Sequence, residues 1–128
     1  MERGRDLIKL RPKIPAAKIT EGISEIEQFQ NSTLRPIIKF QHDLLIQLFS
    51  DHANGFQKNW DSLSNEKKEL FIENSMNKNQ NLKNKFVGVI FGFFTKEELE
   101  FYFENKSELN RRIVQIIKQR VLSNLSLI

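Results

Sequence analysis

One block of this chain, Phe86 to Phe94, is apolar enough to be a buried strand, yet no second run in the sequence could pair with it. An unpaired buried strand leaves its backbone N–H and C=O groups without partners, so the block reads as helix. Elsewhere apolar side chains recur at three- and four-residue spacing, the period of a helix with one buried face. The predicted class is all-α: a compact irregular bundle of five to six helices over residues 20–128, preceded by an extended N-terminal arm over residues 1–19.

The helix boundaries follow from local chemistry. Ile19, Ile23, Ile26 and Phe29 predict a short first helix over about 20–31. Thr33 is placed to cap a second, with Pro36 in the first turn, where a missing N–H is harmless. Leu34, Ile38, Leu45 and Leu48 carry it to about Ala53, and Asn54-Gly55 ends it. Trp60 lies in a connection that plugs one end of the core. Ser62 or Ser64 caps a third helix over about 65–77, with Leu70, Phe71 and Met76 inward, and Asn79 caps a fourth over 80–91. Gly92 stands where a C-terminal glycine belongs, and Thr95-Lys96-Glu97-Glu98 is a capping box opening a fifth helix over about 96–104. Leu109, Ile113, Ile116, Ile117 and Val121 define the last helix, to about Leu125.

Charge is unevenly distributed. The net +4 comes entirely from residues 1–18, where Arg3, Arg5, Lys9, Arg11, Lys13 and Lys18 face only Glu2 and Asp6; the remainder holds fourteen basic and fourteen acidic side chains. A basic arm on a neutral domain differs from a basic domain, so nucleic-acid binding through Arg3, Arg5, Lys9, Arg11 and Lys13 is an alternative but not the favoured function. Pro12 and Pro15 push their predecessors out of the helical region, which predicts an extended arm. The chain has no cysteine, and its longest apolar run is nine residues, so a disulfide framework and a membrane span are not expected and the cytoplasm is the predicted location.

Few side chains invite chemistry. His42 and His52 are the only histidines, and ten helical residues separate them by about 15 Å, too far to share a metal; no metal or cofactor is expected. Gln41 falls on the Leu34–Leu48 apolar stripe, where a buried amide must find a partner, on another helix or on a ligand. Asn31, Arg35 and Lys39 stand at four-residue spacing on a neighbouring polar face, an ordinary wet face or an anion site. Arg35, Lys39, Gln41 and His42 are therefore the candidate ligand-binding residues. Gly88 and Gly92, four apart, would admit a close helix or backbone. Seven aromatics between Phe86 and Phe103 exceed what one helical stripe buries, so Phe91, Phe94, Phe101 and Tyr102 are the candidate surface for a protein partner or a second copy of the chain.

Phe29-Gln30-Asn31, Thr33-Leu34-Arg35-Pro36-Ile37-Ile38-Lys39, Phe94-Thr95 with Glu97-Glu98, and Leu109-Asn110-Arg111-Arg112 together resemble a group of short, uncharacterised, all-helical bacterial proteins that carry a glyoxalase label. The resemblance spans about residues 20–128 and implies a helical domain; its label implies a lyase. Glyoxalases of the vicinal-oxygen-chelate type hold a divalent metal with His and Glu side chains on strands of paired β-α-β-β-β modules. The helical parse has neither strands nor such a set, so no catalytic residue is assigned. The expected function is a non-enzymatic interaction or self-association module, with a ligand binder or enzyme centred on Gln41, His42 and Arg35 as the alternative.

Overall fold

The computed structural model describes residues 2–12 and 23–128. Its elements are α1 (Arg3–Leu10), α2 (Glu25–Phe29), a π turn (Gln30–Leu34), α3 (Arg35–Phe40), α4 (His42–Phe56), a 3-10 turn (Trp60–Ser62), α5 (Asn65–Lys78), α6 (Gln80–Phe91), α7 (Lys96–Glu104), α8 (Lys106–Leu122) and a final 3-10 turn (Leu125–Leu127). There is no strand among the described residues, and Phe86–Phe94 is the end of α6 and the turn after it, as the lack of a partner strand predicts. Lys13 of the basic arm and the expected start of the first helix at residue 20 lie outside the described residues.

Where the start of a helix is written in a few adjacent residues, it forms as read. The Ser64 hydroxyl accepts from the Lys67 N–H, and the Asn79 side chain accepts from the Leu82 N–H. Thr95 and Glu98 close a reciprocal capping box at the head of α7. Helix ends differ more. α4 runs through Asn54-Gly55 to Phe56. Gly92 caps α6 with ordinary right-handed geometry, φ −60°, so no left-handed turn is required there.

Pro36 falls in the first turn of α3, as expected, but α3 is not a fresh start. α2, the π turn and α3 follow one another without a break, and the Arg35 N–H bonds back five residues to the Gln30 carbonyl. A proline inside an α-helix has no N–H for the carbonyl four residues earlier and crowds that carbonyl, here Ser32's. The wider π turn immediately before Pro36 relieves that conflict. Thr33 consequently caps nothing; its hydroxyl lies 3.2 Å from Glu98 Oε2 on α7.

α8 is the central element, packed against α4, α5, α6, α7 and the π turn. Its Leu109, Ile113, Ile117 and Val121 are fully buried among Leu34, Ile38, Phe49, Ile72, Phe86 and Ile90. Trp60 plugs the core as expected, with its indole N–H donating to the Ile128 carbonyl at 3.2 Å. On α5 the buried positions are Ile72, Ser75 and Met76. Leu70, expected inward, is 61% exposed, because a helix that buries 72, 75 and 76 turns position 70 outward. Lys118 is buried, its ammonium 3.1 Å from Glu73.

The N-terminal arm is helical over Arg3–Leu10 rather than extended there; extended backbone begins at Arg11, next to Pro12. α1 lies over the turn between α6 and α7, where Gly4 faces Thr95. Arg3 donates to the Phe94 and Gly92 carbonyls, each at 2.8 Å, and Arg11 donates to the Phe93 carbonyl and pairs with Glu98.

Candidate functional site

The residue the fold places at the centre of a polar groove is Arg120, on α8. Positions 112, 116 and 120 recur every four residues and so share one face of the helix, bringing Arg112, Ile116 and Arg120 into line, with Asn124 just past its end. Opposite them the π turn and the head of α3 present Gln30 and Arg35. These side chains, with Arg111, Gln115, Gln119 and Ser123, line a groove of about 640 Å³. That is within the usual range for a small-molecule site.

The electrostatics of the groove are lopsided. At one end Arg111 and Arg112 both bond to Glu108, at 2.7 and 2.8 Å, and Arg112 also donates to the Gln30 side-chain amide oxygen, Oε1, at 3.0 Å. Hydrogen bonds from Arg111 and Arg112 hold the Glu108 carboxyl down at about 2, so this acid stays charged and keeps that end partly neutralised. At the other end Arg35 and Arg120 take part in no ion pair among the described residues. Burial, and then the charge of Arg35, lower the pKa of Arg120, so this half-buried cation is held beside a second one at a site that disfavours its charge. Arg120 Nη1 is 3.0 Å from His42 Nδ1, and its buried Nε has no partner among the described residues. An arginine donating to Nδ1 requires the imidazole to be neutral, with its own proton on Nε2.

The fold gathers three of the four candidate ligand residues around Arg120. Arg35 lines the main groove, while Lys39 and His42 share a smaller hollow with Asp43 on the far side of Arg120. Gln41 is not with them. Its amide reaches the Val89 carbonyl at 3.4 Å, tying the junction of α3 and α4 to α6. His42 is half-buried. So is His52, which lies between Phe56 and Phe71 with Nε2 3.0 Å from the Ser75 hydroxyl. Reasoning from sequence missed Arg112, Arg120, Gln30 and the carboxamides of α8. The only clue to the α8 residues was their four-residue spacing on the polar side of the last helix, which carries no information about what lies opposite.

The aromatic surface is smaller than expected. Phe94 and Tyr102 are buried, 0% and 3% exposed: Phe94 packs edge-on against Phe29 and against Tyr102, and the Tyr102 hydroxyl donates to Asn110. Phe101 stacks on Phe29 at 4.8 Å and is half-covered. The helix that begins at Glu25 supplies the second wall that lets both flanks of α7 be buried, which a single-stripe argument leaves out. Phe91 and Phe103 remain exposed on either side of Tyr102, with Lys106 over the Phe103 ring.

The arm also differs from a free basic tail. Arg3 and Arg11 are bound to the chain's own carbonyls and to Glu98, and Arg5 pairs with Glu2, which leaves Lys9 as the exposed cation of α1 without an ion pair among the described residues. Among the described residues, no helix is long and apolar enough to cross a membrane, and no group of acids and histidines is assembled as a metal site. Comparison of this chain with protein-family models, with curated proteins and with solved structures finds no match.

Proposed function

We propose that this protein is a ligand-binding helical domain that takes up a small anion in the groove between the π turn and α8. The observation that carries the reading is the juxtaposition of Arg35 and Arg120 without a carboxylate partner among the described residues. Two like charges held together, one of them half-buried, raise the energy of the empty fold, and an anion between them removes that cost. Guanidinium groups suit the task because their forked donors match the oxygens of carboxylates and phosphates.

Thermal unfolding at constant ionic strength tests the reading. Citrate, a multivalent anion, is expected to raise the melting temperature of the wild type above its value in chloride, and to do so far less for the Arg35→Gln, Arg120→Gln double variant. Equal responses of the two proteins would remove the basis of the proposal.

A second reading, contact with a protein partner or a second copy, is supported by the exposed pair Phe91 and Phe103, the latter 60% exposed. Light scattering on the wild type and a Phe91→Ser, Phe103→Ser variant separates the two readings, since the groove lies elsewhere and predicts no change of mass.

A further inference from the structure

From the charge balance of the groove we infer that the ligand's head is a dianionic tetrahedral oxyanion, the terminal phosphate of a small phosphomonoester. This rests on the anion-binding reading above and goes further by naming the chemistry of the ligand. The argument is one of matching charge and donors. The Arg111–Arg112 end already holds Glu108, whereas the Arg35–Arg120 end holds two uncompensated positive charges among the described residues. A carboxylate or a phosphodiester brings one negative charge and leaves half of that repulsion in place. A phosphomonoester brings between about 1.5 and 2 at neutral pH, on three terminal oxygens that two guanidinium forks can share.

The rest of the groove suits the body of such a molecule. Beyond Arg120 it continues along α8 past Gln119, Ile116 and Gln115 to Gln30. That lining is uncharged, with carboxamides that donate and accept and one apolar side chain between them. A hydroxyl-bearing body with one apolar face, as in a sugar phosphate, finds hydrogen bonds there without a further charge. The opposite side of Arg120 carries Lys39, His42 and Asp43. His42 engages Arg120 through Nδ1 and so turns its guanidinium without neutralising it.

Calorimetric titration of the full chain with ribose 5-phosphate, sulfate, acetate and dimethyl phosphate tests the inference. Ribose 5-phosphate and sulfate are expected to bind at least about tenfold tighter than the two monoanions. Lowering the pH from about 8 to about 5 converts the phosphomonoester to its monoanion while sulfate keeps both charges, so ribose 5-phosphate should weaken relative to sulfate. Referring the loss to sulfate removes any contribution from His42, Lys39, Asp43 or Glu108. Arg35→Gln, an exposed substitution that leaves the core untouched, and Arg120→Gln should each abolish the preference. If acetate or dimethyl phosphate binds as tightly as ribose 5-phosphate, and Arg35→Gln weakens all of them, the dianion inference is overturned while the anion groove stands. If no anion binds, or Arg35→Gln changes nothing, both fall.

Discussion

Arg11 closes its guanidinium fork on the Glu98 carboxylate, Nη1 at 2.7 Å from Oε2 and Nη2 at 2.6 Å from Oε1, across 87 positions of the chain. The same carboxylate accepts the Thr95 backbone N–H and lies within reach of the Thr33 hydroxyl, so one acid joins α1, the π turn and the head of α7. Burial pushes the Glu98 carboxyl up, but the hydrogen bonds from Arg11, Thr95 and Thr33, together with the charge of Arg11, outweigh it and hold its pKa below the ordinary 4.5.

Breaking this pair from one side is expected to cost more than removing it. Glu98→Gln leaves Arg11 largely buried without its counter-charge and weakens the capping box, which together should cost about 3 kcal/mol in urea unfolding. The Arg11→Met, Glu98→Gln double variant should recover part of that loss, since no unpaired charge remains. A lowered carboxylate pKa also fixes the sign of the acid response. The stability from Glu98 is fully present above 4.5 and is lost as the pH falls toward the native-state value, so the wild type should lose more stability in that window than the Glu98→Gln variant.

His52 makes a separate prediction at milder pH. Burial first, then the nearby charge of Lys85, lower its pKa below 6.5 against the opposing effect of Asp51, so the folded protein favours the neutral ring between Phe56 and Phe71. A lowered histidine pKa means that the unfolded chain takes up the proton first. Stability from this group is therefore complete above 6.5 and declines as the pH drops through and below that value. Urea midpoints measured from about pH 8 to about pH 5 should fall in the wild type and be flatter in His52→Gln, whose amide can still bond to Ser75. A steeper fall in the variant would contradict the assignment.

Gly88 lies inside α6, and a Cβ built there meets nothing within 4 Å. Its spacing from Gly92 suggested a close helix contact that the fold does not make. Gly88→Ala should therefore stabilise the protein by about 0.5–1 kcal/mol, the difference in helix propensity, measured as a rise in urea midpoint with an unchanged slope. Gly92→Ala should gain less, because its Cβ would sit 3.2 Å from the Gly88 carbonyl oxygen.

What could be read along the chain were the features encoded within a few residues. Ser64, Asn79 and the Thr95–Glu98 box open their helices where expected because a cap is a contact between neighbours three positions apart. The all-helical class followed from the lack of a strand to pair with Phe86–Phe94, and the buried face of α8 from its period. Where a proline or glycine stood between two outcomes, reading failed: Pro36 is accommodated by a π turn, and the helix over Arg3–Leu10 is held by carbonyls and an acid from the far end of the chain. The arginine groove belongs to the same category. Periodicity shows which side of a helix is polar, but the encounter of Arg35 with Arg120, and of Arg120 with His42 some 78 positions away, exists only once the apolar faces have packed and carried their polar edges together.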